Sequence, residues 1–334
     1  MESMQKGKKT SSLLLLLLTF FIIPFNVFAY SDYIIAGGQN IGIELKSNGV
    51  LIVGTYKIGE NDPASQANLQ KGDKITHING KEVHSIEEML NVLDVSPTKD
   101  EIKITYKRAD ETKETTLKLV QDSESVYKTG LYVKDSINGV GTLTFIDPKT
   151  KLYGALGHEI IESTTGQKLE IKDGKIYSST VTGINPSDRG NPGEKNAKYN
   201  ISEVYGNIKE NTKSGIFGTY TDELPNTKQY KVGTKKDVAL GDASILTVIS
   251  GENVEEFKIN ILKVMQNDKS KKNILFEVTD ERLLESAGGI VQGMSGSPII
   301  QNNMIVGAVT HVVVDDCRKG YGIFIENMLE EAEN

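Results

Sequence analysis

From Leu131 to the C-terminus the chain is built of short stretches rich in Ile and Val, separated by Gly, Asn and Pro turns. "GVGTLTFID", "KLYGALGHEI", "DASILTVISG", "EEFKINILKV", "NILFEVTD" and "SPIIQNNMIVGAVTHVVV" each read as a strand or a strand pair. β-Branched residues suit a pleated, half-buried surface, and strands at this spacing close into a sandwich or a barrel. There is no repeat of solenoid period and no low-complexity tract. The Asn/Lys-rich stretches 191–200 and 267–273 read as solvated loops. Residues 131–334 are therefore predicted to be one all-β domain.

With 334 residues the chain has room for a second core. Its formal charge of −7 disfavours a nucleic-acid partner, which selects for a basic stripe. The single cysteine, Cys317, precludes an internal disulfide or a cysteine metal cluster. The four histidines, His77, His84, His158 and His311, include no pair at helical ligand spacing, so no metal and no cofactor is expected. At the N-terminus, Lys6, Lys8 and Lys9 precede an apolar run from Leu13 to Ala29, broken by Pro24 and Asn26. Residues 1–30 thus read as an export signal or an uncleaved membrane anchor, which places the rest of the chain beyond the cytoplasmic membrane.

Residues 31–120 form a different, α+β pattern. Ser85 caps a predicted 85–95 helix, with Glu88 completing a capping box and Ile86, Met89, Leu90 and Leu93 on one face. "PASQANLQKGDKITHINGKEV" resembles the signature of a PDZ domain. The likeness puts "NIGIEL" at the carboxylate-binding loop, where the N–H groups of Ile41, Gly42 and Ile43 would hold a peptide carboxylate or main chain. A bound peptide, from a partner or from the chain itself, would then add a strand beside 41–46 and pack on the 85–95 helix. Polar residues 121–130 read as a linker.

Near the C-terminus, "GGIVQGMSGSPII" surrounds Ser295 with glycines. A nucleophilic serine needs a base, a group that orients the base, and N–H donors for the oxyanion. The glycines let the N–H groups of Gly293 and Ser295 supply the last. G-x-S-G-x-P resembles the nucleophile segment of chymotrypsin-like proteases, with Ser295 as nucleophile, Pro298 opening the next strand and Ser297 as a supporting neighbour. Met294 stands where the digestive members carry an Asp. "YGALGHEI" sets His158 behind a glycine at a strand end, the place of the base in that fold, and the order His then Ser agrees. His311 is the rival base.

Taken together, "GVGTLTFIDPKTKLYGALGHEI", "GNPGEKN", "SGIFGTY", "GGIVQGMSGSPII" and "GAVTHVVV" resemble the sporulation stage IV protein B (SpoIVB) serine peptidases. The likeness runs along nearly the whole chain. It implies a mainly β fold: an export or anchor segment, a PDZ domain and a chymotrypsin-like double β-barrel. It also implies a protease exported into the forespore intermembrane space that cleaves itself and a membrane-associated regulator of an intramembrane metalloprotease, releasing the processing of a late sigma factor. The family's catalytic residues fall on His158, Ser295 and Asp280. Asp280 lies only 15 residues before Ser295, and Asp188 or Asp242 suits the chymotrypsin order better. Two other readings use the same residues: a PDZ scaffold with a degenerate protease domain, and a general envelope quality-control protease.

Overall fold

The computed structural model describes residues 30–94, 100–168, 170–267 and 271–333. The export segment and the last residue of the predicted 85–95 helix lie outside these. Strands dominate. Helices are confined to α1 (Pro63–Gln66), α2 (Ile86–Asp94), α3 (Glu281–Ala287) and α4 (Ile325–Ala332) among the described residues. None of them is long and apolar enough to cross a membrane.

Among the described residues, apolar side chains gather in three cores. The first belongs to the PDZ module and joins Val50, Ile52, Ile75, Met89, Ile104 and Leu131. Its helix α2 starts with the predicted cap but a shifted box: Ser85 Oγ accepts from the N–H of Glu88 at 3.1 Å, while the Glu88 carboxylate accepts from the N–H of His84, one residue before the cap. The apolar face is narrower than predicted. Met89 is buried, whereas Leu90 is 54% exposed. Inside the module, Asp73 is fully buried and pairs with Arg108 through two 2.7 Å contacts.

The other two cores make the double β structure. One collects Ile41, Ile43, Leu143, Leu156, Ile176 and Ile216, the other Ile245, Phe257, Phe276, Ile290, Met294 and Val309. The expected fold class, mainly β with an α+β PDZ module at the N-terminal side, is what the structure shows.

A two-stranded ribbon joins the PDZ core to the first β core. Strands Asn40–Thr55 and Leu131–Ile146 pair antiparallel from Asn40↔Thr142 to Lys46↔Ser136, then from Leu51↔Lys134 to Thr55↔Leu131. Between these blocks one strand advances five residues and the other two, an irregular bulge with three extra residues on the first strand. Gly49 sits in the bulge at φ 123°, where a Cβ would press on the carbonyl of Ile75 at 2.7 Å. Beyond it Val50 and Leu51 pair with Ile75 and Lys74 of the module.

This ribbon has two consequences. The stretch before Ser47 packs with the peptidase part: Tyr33–Ala36 pairs with Gln229–Val232, and 41–47 with 171–178. Second, Ile41, Gly42 and Ile43 are not a free carboxylate-binding loop. They lie mid-strand, between Gly139–Gly141 on one side and Ile176–Ser178 on the other, with Ile41 and Ile43 buried. Both edges of that strand are already occupied by the chain's own strands. Gly42 is glycine because the Tyr199 side chain lies where a Cβ would go.

Candidate active site

His158 stands at the end of strand Leu152–Ala155, after two residues of positive φ, Leu156 at 69° and Gly157 at 70°. A leucine in that region is strained, and such strain collects at functional sites. Local contacts hold it. The Leu156 N–H donates to the carbonyl of Thr142 at 3.3 Å, and its side chain occupies the space left by the missing Cβ of Gly141. A Cβ on Gly157 would come within 2.9 Å of Thr310 Cγ2, so this segment is closed against the strand that follows Ser295.

The ring of His158 is fixed by its own neighbour. Nδ1 lies 2.9 Å from the carbonyl oxygen of Glu159. A carbonyl only accepts, so Nδ1 carries the proton and Nε2 keeps its lone pair, the tautomer a general base requires. Burial lowers the affinity of His158 for a second proton. The Glu159 carbonyl and carboxylate oppose this, and the net shift is downward.

Ser295 rides on a turn with two left-handed glycines, Gly293 at φ 93° and Gly296 at φ 96°. A side chain at 296 would collide with the carbonyl of Thr142. Within the turn the N–H of Met294 reaches Val291, that of Ser297 reaches Met294, and that of Gly296 reaches Val309 across the sheet. The N–H groups of Gly293 and Ser295 have no protein partner among the described residues. The Ser295 hydroxyl donates to the carbonyl of Thr310 at 2.8 Å. Ser297 is buried and bonds through its backbone to Met294 and Val309, while Met294 is part of the second β core.

Gly293, Ser295, His158 and His311 line one cleft of about 510 Å³. The two imidazoles lie 5.2 Å apart between centroids, tilted by 43°. His311 is held below the ordinary histidine range by desolvation first, then by His158 and Lys272. The remaining walls are largely branched aliphatic side chains, among them Ile43, Ile137, Val140, Ile290 and Val312. Glu159 is the one acidic residue of the lining. Among the described residues no group of His, Cys, Asp or Glu could hold a metal ion.

The partners of Asp280 lie elsewhere, and no hydrogen bond or ion pair joins it to His158 among the described residues. Asp280 is the N-cap of α3, where its carboxylate accepts from the N–H of Arg282 at 3.1 Å and of Lys258 at 3.2 Å and pairs with the Arg282 guanidinium at 3.3 Å. Asp188 accepts from the N–H of Arg189 in a separate turn, and Asp242 lines a different cavity. The group that orients His158 in this structure is the Glu159 carbonyl.

Residues missed in the sequence stand behind Ser295. Thr142 donates its N–H to the Ser295 carbonyl and its hydroxyl to that of Gly293, and Thr144 donates its hydroxyl to that of Gly296. The signal was present in "GTLTF": two threonines alternating with Leu143 and Phe145 in a strand buried on both faces, where each hydroxyl needs a partner.

The sequence pattern of the SpoIVB peptidase S55 family matches residues 125–329, and that of the PDZ domain residues 39–119. The chain belongs to the SpoIVB peptidase S55 family. It is a serine peptidase with an N-terminal PDZ domain. Among solved structures, the PDZ domain of an SdrC-like protein from Listeria monocytogenes is 28% identical, covering 26% of this chain and 90% of its own, with a TM-score of 0.23. The active form of the Rv3671c protease from M. tuberculosis is 15% identical, covering 59% of this chain and 74% of its own, with a TM-score of 0.33. Its inactive form gives 15%, 58%, 85% and 0.31. No curated protein matches the chain. In this S55 peptidase both Ser295 and His158 fall inside the family's segment.

Proposed function

We propose that this S55 peptidase is an exported endopeptidase with Ser295 as nucleophile and His158 as general base. It cleaves itself and a membrane-associated regulator of an intramembrane metalloprotease, the step that releases processing of a late sigma factor during sporulation. The observation that carries the catalytic part is the shared cleft: Ser295, His158 and Gly293 line one cavity, and the N–H groups of Gly293 and Ser295 have no protein partner among the described residues. Family membership supports the sporulation role, and the lysines ahead of Leu13–Ala29 support export.

In this mechanism the Ser295 hydroxyl turns from the Thr310 carbonyl toward Nε2 of His158. Oγ attacks the scissile carbonyl, its proton passes to Nε2, and the N–H groups of Gly293 and Ser295 receive the oxyanion. His158 then gives that proton to the leaving amine, and water repeats the sequence to release the acyl group. The aliphatic walls favour substrates with branched apolar side chains beside the scissile bond over Lys, Arg or Asp.

The test is Ser295→Ala in the full chain. Self-cleavage and labelling by a serine-directed fluorophosphonate are expected to vanish, since loss of the nucleophile costs on the order of 10⁶ in rate in subtilisin. Undiminished self-cleavage by purified Ser295→Ala overturns the assignment, and so does a normal sporulation phenotype.

A further inference from the structure

Every polar backbone group of the nucleophile turn has a protein partner except two. The carbonyls of Gly293, Met294, Ser295 and Gly296 accept from Thr142 Oγ1, Ser297 N, Thr142 N and Thr144 Oγ1 respectively. The N–H groups of Met294, Gly296 and Ser297 donate to Val291, Val309 and Met294. Only the N–H groups of Gly293 and Ser295 are left among the described residues.

Two of these partners are side-chain hydroxyls from one strand. Thr142 Oγ1 and Thr144 Oγ1 each bond at 2.8 Å, and both residues are fully buried. They are two positions apart and so share a face. Valine would fill the same space and satisfy the packing, so the hydroxyls act on the carbonyls and not on the core. The carbonyls they hold belong to the two glycines at positive φ, the residues whose peptide units are freest to rotate. The Gly293 carbonyl belongs to the peptide unit between the two that carry the free N–H groups, and the Gly296 carbonyl closes the turn behind them, so a swing of either would displace the donors through the turn backbone.

We propose that Thr142 and Thr144 are positioning residues that hold the nucleophile turn in its oxyanion-binding form through their hydroxyls, a role that rests on Ser295 being the nucleophile. The strand that carries them also contributes Leu131 to the PDZ core, so the PDZ module and the turn share one element.

The readout is the rate at which a fluorophosphonate labels the full chain. In that step Ser295 Oγ displaces fluoride from phosphorus, and its proton passes to His158. Thr142→Val and Thr144→Val should label roughly 10- to 100-fold more slowly, the scale of a misplaced reacting group. Thr142→Ser and Thr144→Ser should stay near the wild-type rate. The acid limb of the pH–rate profile should keep its midpoint while the plateau falls, because the base is untouched. Labelling of the Val variants at the wild-type rate, or Ser variants as slow as the Val ones, overturns this proposal alone. A wild-type chain that is not labelled at Ser295 overturns the nucleophile assignment first. Should one Val variant fail to fold, the other tests the same role through a different carbonyl.

Discussion

Lys134, on the ribbon that reaches into the PDZ module, holds Glu162, four residues beyond His158, through a 2.9 Å ion pair. Burial opposes the charge on Glu162, but the Lys134 ammonium and the N–H groups and hydroxyl at Thr164 and Thr165 outweigh it, and its carboxyl is lowered to about 2. A carboxylate depressed from 4.5 stabilises the fold above pH 4.5, and that contribution is lost as pH falls toward 2. The shift corresponds to roughly 3–3.5 kcal/mol, less what solvent around the half-exposed Lys134 ammonium screens away. Glu162→Gln should therefore flatten the stability profile between pH 4.5 and 2 relative to wild type, as read from urea midpoints across that range. Parallel profiles for the two proteins would show that the pair contributes nothing.

The pH dependence of peptidase activity should follow His158. Its neutral form is the active base, and burial lowers its pKa from 6.5, so the acid limb is expected to have a midpoint below 6.5. His158→Ala should remove the activity, and His311→Gln should leave the acid limb where it is. An inactive His311→Gln beside an active His158→Ala would exchange the two roles.

How much of this was readable in the sequence depends on the range of each interaction. The Gly293–Pro298 motif and the helix started by Ser85 are local, and so is the turn at Asn302–Asn303, where both asparagines have positive φ; glycine, proline, a capping side chain or an Asn pair marks each of them. The partners of a strand are not local. Alternation shows which residues of 41–46 face inward, but not that Tyr177 lies beside Gly42, and so a strand paired on both edges was read as an open peptide-binding loop. The Thr142 hydroxyl meets Gly293 across 151 residues of sequence, and no local pattern names that partner. Asp280 is the opposite case. Asp280 has a strong local role as a helix cap, and its position before Ser295 carried no information about its distance from His158.

Asp280→Ala separates those roles. Loss of an N-cap costs about 0.5–2 kcal/mol, whereas replacing the orienting acid of a triad costs about 10⁴ in kcat. The variant should melt earlier, and Asp280→Asn, which can still cap, should melt closer to wild type. The fluorophosphonate labelling rate of folded Asp280→Ala should stay within an order of magnitude of wild type. A folded variant with a 10⁴-fold slower rate would restore Asp280 to the catalytic machinery.

Lys195 offers the clearest stability test. Only 4% exposed, its stem lies against Gly293 and its ammonium reaches the Thr247 hydroxyl at 2.9 Å. Burial pushes its pKa down to about 7 from 10.5. Between pH 7 and 10.5 the unfolded chain holds a proton that the folded chain has released, so stability rises with pH across that window. Below pH 7 the fold carries the full penalty, roughly 4–5 kcal/mol. Lys195→Met keeps the apolar stem and removes the amine, and should stabilise the protein by a few kcal/mol at pH 7, less the lost bond to Thr247. The gain should shrink toward pH 10, where the wild-type amine is neutral when folded. Urea unfolding of both proteins at pH 7 and pH 10 measures this directly. Equal stability at pH 7 would mean that the ammonium is solvated or paired in solution and that its burial beside the nucleophile turn costs nothing.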